Sequence, residues 1–279
     1  MKEIFEIMFD VSMLAFVAGS MVALGLGLTI SETTAPFKDT RILLLALFSN
    51  FVVVPLFAFA LVWLFPVSNG VRIGIILLSL GGGAPFIPKI VESAKGKVAR
   101  GGALMLLLIG VTILFMPVAI PIIFPGESVS SWQIAKSLIF VMLIPLVLAL
   151  LINARFPNVA ARIQPLATKF TNIAVLVLII AMLFLYTKII IASISILPIV
   201  IVFFLGAAAI GYVTGGKNSN ARFVLAVGTG LRNPPVAILV ASHIFPNEPV
   251  AATVPLFVMI IGAAILFPWA KKIGKNVAA

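Results

Sequence analysis

Apolar residues run through this chain in long blocks separated by short polar gaps. Stretches such as 42–46 and 109–115 do not alternate apolar with polar positions. They therefore do not resemble the strictly alternating segments, about 10 residues long, of a membrane β-barrel. A helix needs about 20 mostly apolar residues to cross the hydrocarbon core. Blocks of that order lie at 11–30, 41–65, 71–93, 98–124, 131–153, 167–187, 190–214, 220–244 and 249–270. The pattern predicts an all-α membrane protein of about nine spans, because only helices and closed barrels satisfy their backbone within lipid.

Composition agrees. Of 279 residues, 62% are hydrophobic and 10% charged, against about 25% charged in a soluble domain. The net charge is +11, which in a soluble protein would suggest nucleic acid. Here the basic residues sit in the gaps between apolar blocks, so no nucleic-acid partner is expected. Their placement reads as topology control. With nine spans, thirteen Lys and Arg residues, from Lys38 to Lys275, fall on one side. Lys2, Arg72, Lys136 and Lys188 fall on the other. That bias predicts a multi-pass cell-membrane protein with its N-terminus outside and its C-terminus cytoplasmic. No cysteine is present and His243 is the single histidine, so thiolate and histidine-cluster metal sites are not expected. No cleavable signal peptide stands out, since acidic Glu3, Glu6 and Asp10 precede the first block.

Two basic residues, Lys89 and Arg232, fall inside blocks rather than between them. A cation in a bilayer costs at least about 2.5–3.5 kcal/mol and needs a partner. Both sit in sequences that weaken a helix: Gly81-Gly82-Gly83-Ala84-Pro85-Phe86-Ile87-Pro88-Lys89 and Gly228-Thr229-Gly230-Leu231-Arg232-Asn233-Pro234-Pro235. Clustered glycines and interior prolines predict breaks there. Asn233 followed by Pro234 reads as the cap and first residue of a new half-helix. Pro85 could start another.

Spans one to four overlay spans six to nine, with the broken span third in each set and span five between them. The second set then runs inverted. Interrupted spans at matching positions of inverted halves point to a transporter site, and half-helix N-termini suit anions. The candidate substrate-binding residues are therefore Arg232, Asn233, Thr229, Asn50, Gly83, Ala84 and Lys89. The candidate break residues are Gly81, Gly82, Pro85, Pro88, Gly228, Gly230, Pro234 and Pro235. Lys89 has a competing role, because Glu92 lies at helical salt-bridge spacing. Arg232 has no acid in its own span, and bonding to carbonyls at the break is its structural alternative. A single polar residue such as Asn50 often only bonds a neighbouring helix.

These features, in this order, resemble the bile acid:sodium symporter family. Leu24-Gly25-Leu26-Gly27-Leu28-Thr29 is similar to its early glycine-rich helix end, and Asn50-Phe51 with Pro55 to its next helix. The 81–85 cluster with Ala94-Lys95-Gly96 resembles its first broken helix and following loop. Gly230-Leu231-Arg232-Asn233 resembles its second broken helix. The resemblance implies a single domain over 1–279 with inverted repeats at 11–124 and 131–270, and two broken, crossing helices. It implies that the first of ten helices is missing. It also implies core helices that include 71–93, 98–124, 220–244 and 249–270, with panel helices making up the rest. Against that family's pattern, the positions of its sodium ligands hold Ile87, Pro88, Gly101, Met105, Gly228 and Arg232, and Asn50 replaces a glutamine. No cofactor is expected. Sodium is the one candidate, and exchanging a carboxylate for a guanidinium argues against it.

Secondary transport of a small organic anion by alternating access, without sodium, follows as the expected function, with the lipid bilayer as the other partner. Ordinary sodium-coupled symport is the alternative. A non-transporting receptor of the same fold is the alternative of another class. An enzyme is not expected, because no catalytic pair is present within the spans.

Overall fold

A computed structural model describes all residues except 1, 30–39, 85–86, 95–97, 126–129, 218 and 277–279. The described residues form helices and no strand. In chain order they are α1 (Lys2–Gly27), α2 (Thr40–Leu64), α3 (Asn69–Leu80), α4 (Ile87–Ser93), α5 (Val98–Ile123), α6 (Ser131–Arg155), α7 (Pro157–Ala192), α8 (Leu197–Thr214), α9 (Ser219–Leu231), α10 (Pro234–Ile244) and α11 (Val250–Asn276). Eight apolar segments among the described residues have the length to cross a bilayer, α9 and α10 counting together as one. The ninth expected crossing is the pair α3 and α4, whose first helix is apolar but short.

The boundaries differ from expectation in informative places. The first helix starts at Lys2 rather than near 11, because Phe5 and Phe9 give its polar start an apolar face. The Phe5 ring stacks on Phe184 at 3.7 Å. The sixth crossing begins at Pro157 rather than near 167, since proline is favoured at a helix start. At 36 residues this helix outruns the hydrocarbon core. Its end was expected near 187. The structure bends it at Tyr186 (φ −119°, ψ 16°) and carries it on to Ala192. A 3₁₀ turn over Ser193–Ile196 then leads into α8.

Helix α1 packs against α6 and α7, making a three-helix group. Close approach there depends on a small residue: a Cβ on Gly25 would sit 2.7 Å from the Leu146 carbonyl oxygen in α6. The remaining helices pack around the two broken pairs. Helices α2 and α8 join this second group, through α3 and α9 respectively. Among the described residues their main packing is with this second group rather than with α1, α6 and α7, the group in which the expected panel places them. Large apolar side chains such as Trp63, Leu114 and Ile122 are exposed on the outside, as a lipid-facing surface requires.

Two helices carry the same local irregularity. Helix α2 has a π-helical turn over Ser49–Val53 followed by Pro55. Helix α6 has one over Ile139–Leu143 followed by Pro145. Proline has no N–H to return to the preceding turn, so widening that turn relieves its clash and frees a carbonyl. In α2 the Val54 amide bonds the Ser49 carbonyl. Pro55 cannot then serve the Asn50 carbonyl one π turn back.

Candidate functional site

The two breaks meet. The Asn233 amide donates to the Gly81 carbonyl at 3.0 Å. The Asn233 side chain donates from Nδ2 to the Gly83 carbonyl at 3.1 Å and to that of Gly82 at 3.4 Å. Its Oδ1 accepts from the Val236 amide and so caps α10. One residue therefore starts a half-helix and fastens the opposite break.

The first break spans 81–84 among the described residues, between α3 and α4. Gly83 has φ +86° and lies hard against α5. A Cβ there would be 2.7 Å from Ile109 Cγ1 and 2.9 Å from the Met105 carbonyl oxygen. Only glycine combines that backbone with that proximity. Thr112 of α5 serves both faces of Gly82, accepting from its amide at 2.8 Å and donating to its carbonyl at 3.1 Å. Ala84 is fully buried, and its carbonyl accepts from the Ile87 amide at 3.1 Å.

The second break is narrower than expected. Gly228 and Gly230 lie inside α9, and only Arg232 and Asn233 are non-helical. The two glycines serve packing instead. A Cβ on Gly230 would lie 2.9 Å from Ala208 Cβ, and one on Gly228 would lie 2.8 Å from Leu104 Cδ2. Pro234 and Pro235 open α10, where a missing N–H costs nothing. Pro88 and Lys89 lie on α4 rather than in a break. Pro85 and the side chains of Pro88, Lys89 and Glu92 fall outside the described residues.

Arg232 stands at the centre. Its φ of 54° is the one positive value at a non-glycine residue among the described residues. Such a backbone is uncommon for a long side chain, and surrounding contacts must hold it. The side chain is fully buried. Nε donates to the Leu78 carbonyl at 3.3 Å. Nη2 donates to the Asn50 carbonyl at 3.0 Å and to that of Ser79. Nη1 donates to Asn50 Oδ1. Leu78 and Ser79 lie in the last turn of α3, whose dipole end is negative; the Leu78 carbonyl accepts from the Gly81 amide at 3.3 Å as well, while the Ser79 carbonyl lies past the helix's last amide. The Asn50 carbonyl is the one freed by Pro55. The guanidinium thus collects backbone oxygens that two helix irregularities leave over, and its planar fork suits several at once.

Asn50, also fully buried, relays the contact. Its Nδ2 donates to the Ala46 carbonyl at 2.8 Å and to Thr229 Oγ1 at 3.1 Å. The structure therefore brings together Arg232, Asn233, Thr229, Asn50, Gly81, Gly82 and Gly83. Sequence reasoning gives Thr112 and Ser79 hydroxyl bonds to their own helices, which Ser79 makes to the Ile76 carbonyl at 2.7 Å, and misses the bonds of Thr112 to Gly82 and the roles of the Leu78 and Ser79 carbonyls. Thr112 carried the signal of a hydroxyl inside an apolar span. Leu78 and Ser79 act on Arg232 only through carbonyls, which no side chain announces.

Residues 13–193, most of the chain, match the model of the sodium bile acid symporter family. The chain belongs to that family. The match covers α1 to α7 and the first break, while Arg232 and the second break lie beyond it. No curated protein matches the chain. Membership places the chain among multi-pass membrane transporters rather than enzymes, in keeping with its apolar crossings.

Proposed function

We propose that this chain is a secondary transporter of a small organic anion, working by alternating access without sodium at its helix crossing. One observation carries the reading. The fully buried Arg232 guanidinium sits on the carbonyls of Leu78, Ser79 and Asn50, the kind of oxygen cage that a hard cation would take. A fixed cation there supplies the charge that sodium supplies in a symporter.

The neighbouring positions support it. Ile87 and Met105 are fully buried apolar residues where the family resemblance expects cation ligands. A Cβ on Gly228 would face Leu104 and Ile87. A bare sodium ion would find hydrocarbon on that side, at a high desolvation cost. The anion class rests on the buried guanidinium and on the half-helix N-terminus that Asn233 and Pro234 begin beside it. In this reading Arg232, Asn50, Thr229 and Asn233 frame the site. Their described bonds run mostly to one another and to the backbone, so they set the path of the two breaks. The solute meets the surfaces that those breaks present when the two groups of helices part.

Radioactive sodium binding to the purified protein tests the proposal directly. The expected result is no saturable binding, and uptake of organic anions into proteoliposomes that persists in choline. Saturable sodium binding by the unmodified protein would return the chain to ordinary sodium symport.

A further inference from the structure

The fixed cation has a consequence for how the carrier is driven. In a sodium symporter the ion favours one conformation over another, and that differential affinity ties solute movement to the ion gradient. A ligand bound equally in all states shifts no equilibrium. Arg232 is covalently part of the chain, and its described bonds close the crossing on protein groups. Leu78, Ser79 and Asn50 all belong to the group of helices that carries Arg232 itself. None of these bonds reaches α1, α6 or α7, so sliding one group on the other leaves them intact.

The seam between the groups is closed at two levels, near the middle of α1 and beyond its C-terminal end, while towards its N-terminal end a cleft of about 290 Å³ separates Glu6 and Asp10 from Ser242 and Glu248. Ser242 of α10 approaches Met13 with Oγ 3.8 Å from Sδ. Beyond the C-terminal end, Leu28 lies so close to α5 that a Cβ on Gly102 would meet its side chain. Met13 is 0% exposed and Leu28 5%. The two positions are separated by about 22 Å along the helix axis, at 1.5 Å per residue. Neither contact involves a charge; the carboxylates of Glu6, Asp10 and Glu248 line the open cleft beside the first rather than closing it.

We propose that the empty transporter reorients unaided, which makes it an equilibrative carrier in which the solute runs down its own gradient. This rests on the reading of Arg232 as the fixed cation of the crossing.

The chain has no cysteine, so Met13→Cys and Leu28→Cys each place one thiol at one end of the seam. Ser242→Cys is a second reporter for the Met13 end. The purified full-length variants, in lipid nanodiscs with both faces free, are treated with a charged maleimide. The buffer holds about 100 mM sodium chloride or choline chloride at equal ionic strength. No solute is added. The expected result is labelling at both ends, with rates that agree between the salts to within about threefold. A larger change with sodium at either end overturns the inference, because sodium then selects a conformation. Labelling at one end only also overturns it, because the empty carrier is then held on one side; the transporter reading survives. Labelling at neither end defeats alternating access, and the inference with it.

Discussion

Replacing Arg232 with methionine keeps an unbranched apolar stem, shorter than the arginine, and removes every donor. Three acceptors lose their described partner, the carbonyls of Ser79 and Asn50 and Asn50 Oδ1, while the Leu78 carbonyl keeps the Gly81 amide. A buried acceptor without a partner costs about 1–3 kcal/mol. Against this, the variant no longer buries a guanidinium, a cost of several kcal/mol. The balance is a loss of about 1–3 kcal/mol, set by the two backbone carbonyls left without a donor, since an amide side chain can turn and a carbonyl cannot. A second substitution isolates one of them. Pro55→Ala returns an N–H that can reach the Asn50 carbonyl one π turn back. It should stabilise the Arg232→Met protein more than the native one, by about 1 kcal/mol, because only there is that carbonyl free. Unfolding of purified protein in mixed micelles by added dodecyl sulfate, followed by tryptophan fluorescence, measures all four proteins. Arg232→Met as stable as the native chain would refute the account of the cage. Additivity within about 0.5 kcal/mol would refute the link between Pro55 and Arg232.

Gly83→Ala should cost about 2–4 kcal/mol, because the new Cβ meets the α5 backbone in a left-handed conformation; yield of monodisperse protein and the same micelle titration check it. Thr112→Val keeps the shape but strands the Gly82 amide and leaves its carbonyl only the 3.4 Å contact from Asn233. It should lower stability by about 2–3 kcal/mol, whereas Thr253→Val, whose hydroxyl bonds only its own helix, should change it by under about 1 kcal/mol. A C-terminal reporter active only in the cytoplasm should be active, as the Lys and Arg bias requires. A silent reporter on a well-expressed fusion would reverse the orientation.

The crossings were legible because lipid leaves few choices: an apolar block of span length must be helical. Helix ends were less legible, since α1 and α7 extend past the bilayer, where apolar content no longer marks them. The breaks were legible in kind and partly misplaced. Glycine reads as a helix breaker from propensity measured in water, yet Gly228 and Gly230 are helical and let α9 approach its neighbours. In a membrane that packing role outweighs propensity, because close contact is a main force between helices.

Arg232 and Pro55 were both visible as anomalies, a cation without an acid in its span and a proline inside an apolar helix. Each alone has an ordinary explanation: the cation could bond carbonyls at its own break, and the proline could merely kink its helix. What the chain order hides is that they lie on elements far apart in sequence and adjacent in space. A proline in a buried helix leaves a carbonyl without a donor, and a buried arginine has more donors than its own helix can use. Geometry pairs the surplus with the deficit through Asn50, whose carbonyl and side chain both accept from the guanidinium. The same reasoning extends to the end of α3, where the glycines at 81–83 stop the helix before it can satisfy the Ser79 carbonyl and leave Leu78 only the Gly81 amide. Fixing either break without the other would leave donors or acceptors buried alone. The positive φ of Arg232 is tolerated because relaxing it would withdraw the guanidinium from all of these oxygens at once.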